Sequence, residues 1–285
     1  MDLSKISPQR REVLRRIEEN ERAGNFHVPV EDDPPAPELT PDKVDYLCKK
    51  VSSKIKRRIA NAIGDAYFSN LIKKDIMVID GITGEEHLDA LKNGAIITSN
   101  HFSPMENYIV FHCIRKHLPR KYLYKVIREG NYTNFPGLYG FLFRHCDTLP
   151  LSSNRRTMIN FSSAVQTLLK RGESILIYPE QEMWFNYRKP RPFLVGGFKM
   201  AYRANVPVLP IFITMQDDET RLDESGYPVQ RHTVHILPPI YPDLSLGDKV
   251  GAQKMCDTAY AYCKEKYEEV YKIPLVYGAN EWYCI

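Results

Sequence analysis

The sequence predicts an α/β fold, a single mixed but mostly parallel sheet flanked by helices, with a helical N-terminal extension. Two patterns carry that prediction. From about residue 76 onward, apolar runs of strand length alternate with stretches of helical periodicity, the arrangement that builds a parallel-rich sheet. Before residue 76, helical patterns are interrupted by a proline-rich stretch and strand patterns are missing. The chain has 285 residues, a length at which one α/β domain is routine.

Taken in order, residues 8–23 read as a charged helix. Residues 28–41, with Asp32, Asp33, Pro34, Pro35 and Pro37, cannot continue it, because proline lacks the N–H and clashes with the preceding turn. Residues 1–42 are therefore expected to be an arm and linker, and residues 43–285 a domain. A second helix is expected over 43–72, with Val44, Cys48, Val51, Ile55, Ile59, Ala62 and Ala66 forming a narrow apolar stripe. Lys49, Lys50, Lys54, Lys56 and Arg57 lie off that stripe. Strands are predicted at 76–80, 94–99, 122–127, 148–151, 174–178, 207–214 and 233–237. Helices are predicted at 85–92, 104–118, 156–171, 196–204 and 248–271.

Composition narrows the function classes. A net charge of +4 is too small to suggest a nucleic-acid partner. The six cysteines (Cys48, Cys113, Cys146, Cys256, Cys263, Cys284) have neither C-x-x-C pairing nor zinc spacing and read as reduced thiols. No metal site is expected. The N-terminal residues are charged where a secretory signal would be apolar, and no run of about 18 apolar residues occurs. A cytoplasmic protein that does not cross the membrane is the expectation.

The segment Ser99-Asn100-His101-Phe102-Ser103-Pro104-Met105-Glu106-Asn107 follows a predicted strand and opens a predicted helix. In α/β sheets that position borders the ligand crevice. Histidine is the side chain suited to take a proton from an attacking hydroxyl near neutral pH. A carboxylate on its other ring nitrogen would fix the tautomer and stabilise the imidazolium, as in a catalytic triad whose serine is replaced by the substrate's hydroxyl. His101 and Glu106 fit these parts, and the N–H groups of residues 103–105 could support an oxyanion. The structural alternative is that Ser103 caps the helix and Glu106 completes a capping box. Spacing alone does not decide, since roughly one His-x4-acid match is expected by chance in such a composition. His27 and Asp32 supply such a match, but in the proline-rich arm, without a strand before or a helix after. No Gly-x-Ser-x-Gly elbow of a serine hydrolase is present.

Four ordered segments raise the reading above chance. Asn100-His101-Phe102-Ser103-Pro104-Met105-Glu106 resembles the Asn-His-x-x-x-x-Asp motif of the glycerophosphate and 1-acylglycerol-3-phosphate acyltransferase family. Tyr178-Pro179-Glu180-Gln181 resembles the Phe-Pro-Glu-Gly core of its third motif. A glycine-led helix at 196–204 then precedes Val206-Pro207-Val208-Leu209-Pro210, which resembles its fourth. The likeness spans roughly residues 76–240 and marks the chain as a divergent member. It implies acyl transfer from acyl-CoA or acyl-carrier protein to the hydroxyl of a lipid acceptor, with His101 as base, Glu106 as its partner, and no further cofactor. It also implies substrate-binding parts for Asn100, Ser103 and Glu180, the last positioning the acceptor or orienting an arginine.

The departures concern phosphate. The family's arginines fall on Ser153 and Met183, and a common lysine on Val195. Arg155 and Arg156 are candidates for anion binding, since cations in a first helical turn oppose the dipole. Arg144 replaces them if the register differs. Arg188, Lys189 and Arg191 are the nearby alternatives; failing these, the acceptor is not a simple phosphate ester. Trp184, Phe185 and Tyr187 line either a pocket or the core. Peripheral attachment to the inner face of a membrane through the basic helix is expected, against the alternative of an ordinary surface helix. A lipid-binding protein that keeps the scaffold without turnover is the competing function.

Overall fold

The computed structural model describes residues 6–278; Cys284 lies outside them. Seven strands form one sheet in the order β1-β7-β6-β2-β5-β3-β4. They span β1 Val78–Thr83, β2 Ile96–Thr98, β3 Leu123–Ile127, β4 Thr148–Pro150, β5 Ser174–Ile177, β6 Val208–Leu222 and β7 Pro228–Ile236. Every neighbouring pair is parallel except the β6–β7 hairpin, so the mixed, mostly parallel prediction holds.

The central strands carry consecutive apolar residues, Ile96-Ile97, Ile175-Leu176 and Val208-Leu209, because both faces are covered. Ile97, Leu176 and Leu209 point into one core layer, while their neighbours Ile96, Ile175 and Val208 point into the other. This is the two-residue alternation of a pleated strand applied to a sheet buried twice. The first layer is closed by α2 Val51–Lys73, α3 Glu106–Ile114 and a 3-10 helix at Glu85–Asn93. The second is closed by α6 Arg155–Lys170, α7 Gly196–Ala204 and α8 Asp248–Tyr271.

Two expectations require correction. The helix expected from residue 43 begins at Val51. The Asp45 carboxylate accepts the N–H groups of Lys49 and Lys50 and Cys48 adopts a left-handed backbone, so a local side-chain turn displaces the helix there. Val51, Ile55 and Ile59, read as part of a narrow apolar stripe, are 72%, 53% and 48% exposed, and the small side of the helix (Ala60, Gly64, with Leu71) is the buried one. Two short helices between β3 and β4, α4 Glu129–Thr133 and α5 Gly137–His145, have no counterpart in the prediction.

The N-terminal segment packs closely on the rest of the chain. Helix α1 Pro8–Ala23 buries Leu14 and Ile17 against Trp184, Tyr187 and Tyr227. Glu21, buried, pairs with Lys189 at 2.6 Å. The segment then runs along the sheet edge to Leu39, whose carbonyl accepts from Ser152 and Thr157 and whose N–H donates to Glu129.

Candidate acyl-transfer site

Parallel pairing brings the carboxyl ends of β2, β5, β3 and β4 to one edge of the sheet. The residues after β2 form the site. Asn100 is buried, and its amide exchanges two 2.9 Å hydrogen bonds with the N–H and C=O of Ile213. Both ends of that side chain are thus used to fasten the end of β2 to β6, and its place is that of a support beneath the next residue.

His101 Nδ1 lies 2.5 Å from Glu106 Oε1. The carboxylate is 1% exposed and the imidazole 20%. The second carboxylate oxygen accepts the Ser103 N–H at 3.0 Å. Glu106 therefore makes the backward bond of a capping box and holds the histidine at the same time, one oxygen for each. The reciprocal half of the box is altered: Ser103 Oγ accepts the N–H of Met105 at 3.2 Å, and the helix starts at Glu106. With the Ser103 and Met105 N–H groups occupied and Pro104 having none, residues 103–105 do not offer the oxyanion donors expected of them. Nε2 of His101 makes no hydrogen bond to any described residue.

The loop after β5 holds His101 from the other side. The Tyr178 ring stacks on the imidazole at 4.0 Å between centroids and 11° between planes. Burial, together with the adjacent Glu106 carboxylate, pushes the Tyr178 phenol well above its ordinary range. Glu180 is 2% exposed. It accepts the His101 N–H at 3.1 Å, and its carboxylate bonds both the backbone and guanidinium of Arg191 at 2.9 Å. The backbone N–H groups of Trp184 and Asn186 close the contact on the carbonyls of His101 and Phe102. Gln181, standing where the family motif has glycine, has φ 65°, the left-handed region in which glycine is least strained.

The cations after the Pro-Glu core are committed inside the protein. Arg188 pairs with Asp217 and bonds Gln230, Lys189 pairs with Glu21, and Arg191 pairs with Glu180. All three are buried, which removes them as readers of an acceptor phosphate. Trp184 and Tyr187 are core residues under α1, and the Trp184 indole donates to the Val28 carbonyl. Arg155 and Arg156 occupy the exposed first turn of α6, capped by Asn154. They stand at the end of β4, three strand spacings or roughly 14 Å from β2, and have no ion pair among the described residues. Arg144, the alternative, donates to the carbonyls of Tyr132 and Phe135. A cation that sequence reasoning passed over, Arg128, follows β3, one strand beyond β5. It pairs with Glu182 of the same loop at 2.8 Å and with Asp33 of the arm.

Among the described residues no three His, Cys, Asp or Glu side chains converge as a metal site, and no helix is long and apolar enough to cross a membrane.

Residues 81–214 match the family model for acyltransferases, a span that contains the His101–Glu106 pair, the Tyr178–Glu180 turn and the start of β6. That segment is an acyltransferase-family domain. The fold agrees: the 1-acyl-sn-glycerophosphate acyltransferase PlsC from Thermotoga maritima is similar with a TM-score of 0.52 and 16% identity, over 81% of this chain and 87% of that one. No curated protein sequence matches the chain.

Proposed function

We propose that the chain is an O-acyltransferase that moves a fatty acyl group from an acyl-CoA or acyl-carrier-protein thioester to a hydroxyl of a glycerolipid or related lipid. The observation that carries the reading is the bond between His101 Nδ1 and a fully buried Glu106 carboxylate at the carboxyl end of a parallel strand, within a domain of the acyltransferase family.

With Glu106 on Nδ1, the lone pair of the neutral ring is left on Nε2. As the acceptor oxygen attacks the thioester carbonyl, Nε2 takes its proton. The C–S bond of the tetrahedral intermediate then breaks, and the leaving thiolate recovers that proton from the imidazolium. Glu106 stabilises the ring while it is charged. Transfer is direct, without an acyl-enzyme. Base catalysis of this kind contributes about 10² to 10⁴ in rate.

The acceptor comes from a membrane, and docking is assigned to α2. Val51, Ile55, Ile59, Ile63 and Tyr67 form an exposed row at four-residue steps, joined by Phe135, Leu138 and Tyr139 around α5, and Lys49, Lys50, Lys54, Lys56 and Arg58 flank it. An apolar row with basic margins suits a peripheral protein on the cytoplasmic face of a membrane with anionic lipids.

The test is transfer from a labelled acyl thioester to a lysolipid. His101→Ala is expected to lower kcat/KM by about 100-fold or more with the fold retained. Transfer that stays within about tenfold of wild type excludes His101 as the base. Lipid binding that survives without thioester consumption in the wild-type protein points instead to a scaffold without turnover.

A further inference from the structure

A cavity of about 210 Å³ lies away from His101, between the start of α2 and the β3–β4 side of the sheet. Its lining includes Lys43, Lys50, Lys56, Arg57 and Arg144 against Asp42, Asp45 and Asp147. Each of those carboxylates already has work within the protein. Asp147, buried, pairs with Arg57. Asp45 accepts the N–H groups of Lys49 and Lys50. Asp42 is held below the usual carboxylate range by hydrogen bonds from Thr40 and its own backbone. Lys43, Lys50 and Lys56 have no ion pair among the described residues, and the Arg144 guanidinium hydrogen-bonds there to the carbonyls of Tyr132 and Phe135 and to no carboxylate. The field is therefore positive. His145, which also lines the cavity, has its proton affinity lowered by burial and then by Lys56 and Arg144. Ser52 and Ser53, in the first turn of the 23-residue α2, complete the lining.

We infer that this cavity binds a phosphate group at a site distinct from the acyl-transfer centre. A dianion would neutralise the surplus of cations that the internal carboxylates leave unmatched. Lysine ammonium groups are the compact, mobile donors that can close on it. The exposed apolar row of α2 begins at Val51, immediately after Lys50 at the cavity wall. A phosphate carried by a membrane phospholipid could thus sit in the cavity while its chains lie along the row. A soluble phosphate compound is the other source of the same chemistry.

Binding is measured directly and needs no acyl transfer, so its outcome is independent of the proposed enzyme activity. Inorganic phosphate is titrated into the full chain by NMR or calorimetry. Sedimentation is measured with vesicles of phosphatidylcholine, with and without phosphatidic acid. Two variants of equal charge loss are compared: Lys50→Gln/Lys56→Gln in the cavity wall, and Lys54→Gln/Arg58→Gln on the same helix outside it. In the titration with inorganic phosphate the cavity variant is expected to weaken binding about tenfold or more, with the control, whose residues lie outside the cavity lining, close to wild type. Both variants lose basic charge beside the docking row, so the vesicle arm is read as their difference: if the cavity variant loses more of the phosphatidic-acid-dependent binding than the control, the ligand is a lipid headgroup; if the two lose it equally while only the cavity variant loses inorganic phosphate, it is a soluble compound. Equal losses of inorganic phosphate binding in the two variants, or no saturable phosphate binding by the wild type, overturn the site. Thermal unfolding of both variants verifies that they are folded.

Discussion

Glu106 shows how one side chain can serve two structural readings. Its Oε2 satisfies a backbone N–H near a helix start, and its Oε1 holds an imidazole. The capping pattern and the catalytic pattern coincide in the sequence because both need a carboxylate in the first turn, and the fold gives Glu106 the backward bond of the first and the imidazole contact of the second. Tyr178 is the residue-scale surprise. It was legible as part of a motif, but nothing in the sequence placed its ring face to face with His101. Contacts of this kind contribute about 0.5 to 1.5 kcal/mol, enough to hold an otherwise half-open ring in one rotamer. Tyr178→Leu, which removes the ring, is expected to lower kcat three- to tenfold, by about 1 kcal/mol, with KM little changed. Tyr178→Phe, which keeps the ring, should retain most of the rate. Steady-state kinetics on both variants decide it, and a wild-type kcat in the Leu variant removes the positioning role.

At the scale of elements, α2 separates periodicity from packing. Its apolar residues share one face, as the repeat predicts, but Val44 and Cys48 lie before the helix, which begins at Val51. A four-residue repeat says which residues share a face and leaves open what that face meets. Here the buried face is the one with Ala60 and Gly64, where Gly64 approaches the Cys146 thiol, and the bulkier row is exposed. Ile55→Ser/Ile59→Ser is expected to weaken binding to anionic vesicles by about tenfold or more, since each exposed aliphatic side chain transferred into an apolar phase gains on the order of 1 kcal/mol. The thermal midpoint should change little. Unchanged sedimentation with vesicles would leave the row without a docking role. The two helices without a predicted counterpart lack local signals: α4 has five residues, too few for a 3.6-residue repeat to stand out, and α5 carries Gly140 in its interior, which lowers helix propensity.

Across the whole molecule, the N-terminal segment and the hairpin edge tie the site to global stability. Trp184, Lys189 and Arg191 all complete their interactions with residues of the arm, so the loop that holds His101 depends on a segment more than 150 residues earlier in the chain. At the other side of the sheet, His235 is held between Thr83 and Thr214, each at 2.9 Å, and burial lowers its pKa to about 4. Between that value and the ordinary one near 6.5, the unfolded chain binds the proton and the folded chain does not. The stability tied to neutral His235 is therefore complete above about pH 6.5 and is lost as pH falls towards 4. His235→Gln should flatten the decline of the denaturation midpoint across that window, and an unchanged slope would assign the acid sensitivity to other groups.

The sequence by itself determined the sheet, most of its strands, and the meeting of His101 with Glu106. The strands depend on apolar runs of strand length, a local property, and the pairing on four ordered motif segments, since the five-residue spacing by itself also occurs at His27 and Asp32. Tertiary structure alone decided which cations remain to meet a ligand. Arg188, Lys189 and Arg191 look available beside their motif, yet each is neutralised by a carboxylate: Asp217 and Glu21 from distant segments, and Glu180 from the motif's own loop. Charge pairing of that kind is set by distance in space, and a buried cation requires its partner, whatever their separation along the chain.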